Sequence, residues 1–376
     1  MVFSRREFIK STCGAGCLLL SPVPSKIFQG AGLAQAAEIQ RPVEARYYEK
    51  QPNRKIKCVL CPRECVIDDL ERGYCGVREN RGGTYYTLVY GNPCAVHVDP
   101  IEKKPLFHFL PGTNAFSLAT AGCNVLCKFC QNWEISQARP EEVKAYQLPP
   151  RDIADLAKQN GCVSIAYTYT EPVIFTEYVY DTSAAAGEKG IKSVMISNGY
   201  IKAEPMRDLC QVLHAVKIDL KAYTERFYRE LVNGELKPVL ETLVLLKSLG
   251  MWTEIVYLVI PSQNDDKNEL QDLCKWIVAE LGPDTPIHFS RFHPQYRLKN
   301  LPPTPISVLQ TAKKIALDAG IHFPYIGNVP GDPGENTYCP SCGTLLIRRI
   351  GFTIVENKLS KNLCSKCRTK IPGIWL

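Results

Sequence analysis

From about residue 115 onward, short apolar runs alternate with longer segments whose apolar residues recur at every third or fourth position. The runs AFSLAT (115–120), VSIAYT (163–168), IKSVMIS (191–197), AVKIDL (215–220), WTEIVYLVI (252–260) and PIHFSR (286–291) read as strands. Between them RDIADLAKQ, PVIFTEYVYDTSAAAGEK, PVLETLVLLKSL and NELQDLCKWIVAEL carry the helical period. Six strand–helix units in succession predict an α/β fold with a parallel sheet, as a barrel or an open partial barrel. A doubly wound sheet shares this alternation, so the choice between them rests on the sites.

Composition changes the picture in one respect. Apolar residues make up 45% of the 376 and charged ones 22%, an ordinary globular balance, yet there are 17 cysteines. Most lie in tight clusters with two or three residues between neighbours, a pattern that suits metal chelation better than disulfides. The formal charge of +7 is uneven. Arg5, Arg6, Lys10 and Lys26 against Glu7 leave +3 in residues 1–36, and seven basic groups against Glu356 leave +6 in residues 339–376, so the remainder is near neutral at −2. No aromatic-rich RNA motif accompanies the basic tail, so solvation is preferred to nucleic-acid binding as its explanation.

The N-terminus reads as an address. SRREFIK (4–10) resembles a twin-arginine export signal, and the apolar run behind it is too short to span a bilayer. Ala34-Gln35-Ala36 offers a cleavage site, which predicts a periplasmic or outer-face location; without a working leader the protein stays in the cytoplasm. Four segments follow: the signal at 1–36, a cysteine-rich module at 37–113, the core at 114–330 and a ribbon-like tail at 331–376.

The first strand runs into TAGCNVLCKFCQN, with Cys123, Cys127 and Cys130 spaced C-x3-C-x2-C and no fourth cysteine close behind. Three thiolates on a 4Fe-4S cluster leave one iron open. That iron can take a small molecule by its amino and carboxylate groups and deliver one electron, the chemistry that cleaves S-adenosylmethionine to a carbon radical. A structural zinc site wants a fourth ligand. Cys339-x2-Cys342 and Cys364-x2-Cys367, 21 residues apart, read as a zinc ribbon, which a segment with so little core needs in order to fold. Cys58, Cys61, Cys65 and Cys75 form another four-ligand set, for which zinc and an auxiliary cluster stand equally open.

With Phe129 before the last cysteine of the loop, this motif resembles the radical S-adenosylmethionine superfamily. CVLCPRECVI, DPIEKKPLFHFLPGT, YTYTEP, SNGY, IDLKAY, FSRFHP and the GNVPG…NTYCPSCG tail resemble, more narrowly, the radical enzyme of the AmmeMemoRadiSam system, a relative of pyruvate formate-lyase activating enzymes. The resemblance spans roughly residues 55–376 and implies a partial (βα)6 barrel with its site at the C-terminal strand ends. It implies that Glu171 holds the cofactor's ammonium, although Tyr169 and Thr170 replace the two glycines that precede this carboxylate in relatives. Asn198 and Gly199 would meet the ribose or methionyl part, Asp219 and Lys221 would contact the cofactor, and VIPSQNDD (259–266) would offer backbone to adenine. Arg291 and His293, on one face of the sixth strand, would point at the cleft.

Taken singly, Glu171 reads as a helix first-turn acid and Asp219 with Lys221 as a strand-end ion pair. Polar residues ending five strands behind a three-cysteine loop favour the functional reading. The expected activity is reductive cleavage of S-adenosylmethionine to a 5′-deoxyadenosyl radical that takes hydrogen from a substrate, with a one-electron reductant and a protein as candidate partners. The alternative is a non-enzymatic iron-sulfur or zinc protein serving as electron carrier or adaptor.

Overall fold

The computed structural model describes residues 43–375; the leader, with Arg5, Arg6 and Ala34–Ala36, lies outside the described residues. One eight-stranded sheet organises the chain: β1 (Ala95–Pro100), β2 (Asn114–Ala119), β3 (Ser164–Tyr167), β4 (Lys192–Ser197), β5 (Ala215–Asp219), β6 (Trp252–Val259), β7 (Ile287–Arg291) and β8 (Pro324–Gly327), in sequence order across the sheet. β2 to β8 run parallel and β1 pairs antiparallel with β2. Each of β2 to β7 is followed by a helix, namely α1 (Pro150–Gln159), α2 (Thr176–Gly187), α3 (Ala203–Cys210), α4 (Leu236–Ser248), α5 (Lys267–Trp276) and α6 (Ile306–Asp318).

The six expected strands are therefore β2 to β7. The sequence reading missed both edges. β1, AVHVDP, lies in the stretch assigned to the N-terminal module and places His and Asp where an apolar run was sought; β8, PYIG, is four residues long and opens on proline. Pairing with a formed neighbour stabilises both more than local propensity would. The helices follow their periodicity, with Ile153, Ala154, Leu156 and Ala157 of α1 buried. α5 starts where the Asp266 side chain accepts from the amides of Asn268 and Glu269. Among the described residues no helix is long and apolar enough to cross a membrane.

Two sets of contacts reach across the sheet. At the C-terminal strand ends, the Arg297 amide after β7 donates to the Lys128 carbonyl after β2 (2.8 Å), and Trp133 stacks on Tyr296 (5.1 Å between centroids). At the opposite end the amides of Phe107 and His108, which follow β1, donate to the Glu254 carboxylate on β6 (3.0 and 2.8 Å). Each pair of strands stands five places apart in the order. A flat sheet would hold them roughly 24 Å apart, so the sheet curls.

The appendages sit at opposite ends of that sheet. The basic ribbon docks at the N-terminal strand ends: Arg349 is buried, donates to the Phe107 and Glu335 carbonyls and to Thr337, and lies 4.1 Å over the Phe107 ring. Its charge, read from the sequence as solvated tail, is in this instance a buried anchor. The cysteine module instead docks by the three-cysteine loop that follows β2. Arg78 is buried against Glu177 of α2 (2.5 Å), and Arg63 donates to the Asn124 carbonyl (2.5 Å) and to that of Asn233.

The module and the cluster loop meet at Gly122, whose φ of +92° is in the left-handed region; a Cβ there would lie 2.6 Å from both the Cys75 carbonyl oxygen and Val77. Gly122→Ala therefore combines backbone strain with a clash and is expected to cost about 2 to 4 kcal/mol. Gly82→Ala is the control, since Gly82 also has positive φ (+66°) but nothing within 4 Å of an added carbon. Chemical denaturation of both variants measures the difference; equal losses would remove the close approach as the cause.

Candidate functional site

Cys123, Cys127 and Cys130 lie on the loop after β2, and backbone hydrogen bonds hold that loop on both flanks. The amides of Leu126 and Lys128 donate to the carbonyls of Val232 and Leu231 (2.9 and 2.8 Å), and the Gly122 amide to that of Ile135 (2.9 Å). Asn124 donates from its side chain to the Tyr200 carbonyl (2.7 Å) and accepts from the Asn198 side chain (2.8 Å). Cys130 Sγ stands 3.3 Å from the Ser136 hydroxyl. Phe129 is buried and packs on Phe227 at 5.7 Å between centroids, a packing contact inside the loop.

Glu171 follows β3 and is fully buried. Its carboxylate accepts from the Ser197 hydroxyl (2.7 Å), the Asn198 amide (2.7 Å) and the Val173 amide (3.1 Å). Burial nonetheless dominates and pushes its pKa up to about 7. Among the described residues no cation lies within ion-pair distance of it. The glycine substitution in front of Glu171 resolves in an unexpected way. Tyr169 adopts φ +65°, a conformation glycine takes at no steric cost, and its hydroxyl donates to Asp99 of β1. Lys104, also buried, donates to the same carboxylate (2.5 Å), and burial brings its pKa down to about 8 against the pull of Asp99. The Thr170 hydroxyl donates to the Thr120 carbonyl (2.9 Å), tying the Glu171 turn to the cluster strand.

At the end of β5, Lys217 and Lys221 both donate to Asp219, the second at 3.1 Å. Burial alone would raise the Asp219 pKa, but the two ammonium groups outweigh it and hold the carboxyl at about 2. Lys221 is raised, its attraction to Asp219 and to Cys127 exceeding the burial penalty. Cys127, pushed up to about 12 by burial, feels Lys221, Asp219 and Glu171, and Cys123, raised by burial, feels Glu171. The structure thus brings the loop cysteines, Glu171, Asp219 and Lys221 together. Asn264, buried in the loop after β6, donates to the Lys221 and Leu258 carbonyls (2.8 and 2.9 Å) and fixes this corner.

Other predicted residues serve differently. The Asn198 side chain is spent on Asn124 and the Tyr200 amide, and Gly199 (φ +73°) lets the chain turn against Ile218 and Val239, so both shape the wall behind Glu171. Arg291 is turned to the Thr304 carbonyl (2.8 Å), and His293 lies exposed beside it. Among the described residues neither joins the network around Glu171 and Asp219. Lys217 and Asn264 escaped the sequence reading. Lys217 had a signal, as the third of the alternating Lys217, Asp219 and Lys221; Asn264 had only its place in a polar loop.

The donor set fits an iron-sulfur cluster and S-adenosylmethionine. The loop supplies three thiols, and the unpaired buried carboxylate of Glu171 would be compensated by a cationic ligand. The C-terminal set fits a single tetrahedral ion. Cys339, Cys342, Cys364 and Cys367 have all four sulfurs within 4.8 Å of one another, with Cys339–Cys367 at 3.5 Å and Cys342–Cys364 at 3.7 Å. Its two knuckles repeat the same bonds: Cys339 to Thr344 and Gly343 to Cys339, then Cys364 to Thr369 and Arg368 to Cys364.

The sequence and fold resemble those of known proteins. The Radical SAM superfamily model matches residues 117–276. An uncharacterised protein of Methanocaldococcus jannaschii is 47% identical over 330 residues, covering 87% of this chain and 98% of that one. The pyruvate formate-lyase 1-activating enzyme of Escherichia coli is 23% identical over 177 residues, covering 46% of this chain and 71% of the enzyme. A solved domain of the pyruvate formate-lyase-activating enzyme from Bacteroides vulgatus aligns with a TM-score of 0.39 and 16% identity over 43% of this chain and 98% of that domain. The chain belongs to the radical SAM superfamily and is related to the pyruvate formate-lyase activating enzymes.

Proposed function

We propose that the chain is a radical S-adenosylmethionine oxidoreductase, built on a partial (βα)6 barrel, that abstracts hydrogen from a protein substrate in the manner of an activating enzyme. The observation that carries the reading is the pairing of opposites near the three-cysteine loop: Glu171 buried without a cation, and the half-buried Asp219 held by two. A zwitterionic, cationic amino acid derivative meets both needs. An electron carrier or adaptor has no use for this arrangement. When bound, a 4Fe-4S cluster and S-adenosylmethionine would together supply one-electron cleavage to a carbon radical.

In this reading Cys123, Cys127 and Cys130 hold the cluster, Glu171 receives the ammonium, and Lys217 fixes Asp219 so that Lys221 faces the cofactor. Zinc at Cys339, Cys342, Cys364 and Cys367 holds the ribbon at the far end of the sheet, away from the chemistry. The Trp133–Tyr296 stack joins the loops after β2 and β7 at the C-terminal strand ends. Export through the twin-arginine route stays part of the proposal, since that route carries folded, cofactor-loaded proteins.

The ammonium contact requires ionised Glu171. With its pKa at about 7 in the ligand-free site, affinity for S-adenosylmethionine should rise with pH through neutrality, and Glu171→Gln should weaken binding and abolish the slope. The protein alone should show the converse. A carboxyl whose folded pKa is raised contributes stability below its unfolded pKa and loses it as pH climbs through the folded value. Equilibrium dialysis across neutral pH measures the first effect; a flat profile in the parent would contradict the role given to Glu171.

The second test concerns the substrate. Reduced enzyme with S-adenosylmethionine alone should make 5′-deoxyadenosine slowly, a macromolecular partner should accelerate it, and deuterium on that partner should appear in the product. Asp219→Ala and Lys221→Ala should lower the rate by about 10- to 100-fold. Formation of S-adenosylhomocysteine with no deuterium transfer would replace hydrogen abstraction by methyl transfer.

A further inference from the structure

The N-terminal cysteines form a site of their own. Cys58 ends the strand Ile56–Cys58, and its amide donates to the Cys65 carbonyl (2.9 Å). Between them the Cys61–Cys65 turn closes through the Glu64 amide on the Cys61 carbonyl (3.2 Å), with Glu64 at φ +45°. Lys57 pairs with the Glu64 carboxylate at 3.0 Å and Lys202 pairs with its other oxygen, pinning the turn to the barrel. Cys75 comes from a separate loop, between Gly73 and Gly76, whose φ is +75°. The four thiols lie close enough to feel one another's charge: Cys61 feels Cys58, Cys65 and Cys75, and Cys75 feels Cys58 and Cys65. Burial raises the pKa of both Cys58 and Cys75, the buried Arg78 guanidinium lies near enough to both to oppose that rise, and Tyr85, almost wholly buried, feels the same thiols.

The spacing of the sulfurs separates two kinds of metal. A tetrahedral zinc bound at about 2.3 Å to each thiolate draws its sulfurs within about 4 Å of one another. The ribbon cysteines meet that condition, and among the described residues they are the one set that gathers within 4.8 Å. Neither the loop Cys123, Cys127 and Cys130 nor the set Cys58, Cys61, Cys65 and Cys75 brings three sulfurs within that distance. A cubane interposes four irons and four sulfides between its thiolates and needs a wider spread.

We infer that Cys58, Cys61, Cys65 and Cys75 hold a second 4Fe-4S cluster, fully ligated by protein and set beside the three-cysteine loop as its electron relay. The relay rests on the function proposed above; the cluster site does not. Position supports the role. The Cys75 carbonyl packs against Gly122, the residue before Cys123, so the ligand loops of the two clusters touch. Cys75 and Cys123 also line one open cavity of about 680 Å³, together with Tyr74, Arg72 and Arg139. Four protein thiolates leave no iron open, so this cluster has no place for S-adenosylmethionine and is suited to electron transfer. One electron would pass from the reduced auxiliary cluster to the oxidised cluster at Cys123, Cys127 and Cys130, which is thereby reduced. A low-potential one-electron donor protein would then restore the first.

The test counts metals in the anaerobically reconstituted full chain and in its Cys123→Ala, Cys127→Ala, Cys130→Ala triple variant. The parent should hold roughly eight iron and one zinc. The triple variant should keep half the iron and a reduced paramagnetic signal that S-adenosylmethionine does not alter. Cys65→Ser should lose that signal and keep the one that does respond. A parent with half the iron and twice the zinc, or a triple variant free of iron, overturns the inference. If iron survives in the triple variant while no signal in the parent responds to S-adenosylmethionine, the second cluster stands and the proposed function falls.

Discussion

The close approach at Gly122 is the constraint on which the rest depends. A loop that must present three thiols to one inorganic core cannot also be mobile, and thiols pushed up by burial ionise only if the metal is there to receive them. The chain solves this by pressing the loop between two bodies: the cysteine module through the Cys75 carbonyl and Arg63, and the turn at Tyr228–Val232 through two backbone hydrogen bonds. With no Cβ at Gly122 the backbones reach contact, and the module becomes part of the site wall.

From that fixed loop the electrostatics follow. The ends of β3 and β5 deliver acids to the same mouth but treat them oppositely. Glu171 is surrounded by hydrogen-bond donors that carry no full charge, so burial raises its pKa; Asp219 is held between Lys217 and Lys221, so its pKa falls. One site therefore offers an uncompensated negative group and a cationic one, both within electrostatic reach of the loop cysteines. The Asp99, Lys104 and Tyr169 network, lower in the sheet, keeps the Glu171 turn in a backbone conformation that tyrosine adopts only at a cost of about 1 to 2 kcal/mol. Its hydrogen bonds offset that strain.

How much of this was legible depended on whether the signal was local. The β2–β7 strands, the cysteine spacings, Glu171, Asp219 and Lys221 could be read because period, spacing and strand-end position are properties of short stretches. The edges β1 and β8 could not, since their pairing partners supply the stability. The ribbon's basic character suggested a solvated surface, and only tertiary packing shows Arg349 buried against Phe107 at the end of the sheet away from the cluster loop. The resemblance assigns Asn198 to the ribose or methionyl part of the cofactor; its side chain bridges to Asn124, a pairing separated by 74 positions that no spacing rule reveals. The sequence reading puts Arg291 and His293 on one face of the sixth strand, but β7 ends at Arg291, His293 lies two residues beyond it, and the Arg291 guanidinium donates to the Thr304 carbonyl.

The central claim is that the three-cysteine loop holds a cluster with one iron left for S-adenosylmethionine. The most direct measurement is electron paramagnetic resonance of the reduced protein before and after adding S-adenosylmethionine that carries nitrogen-15 at its amino group. The account predicts a changed signal with a resolved coupling to that nitrogen, lost in the Cys123, Cys127 and Cys130 triple variant. A spectrum that is unchanged by S-adenosylmethionine, or a coupling that persists without those cysteines, would contradict it.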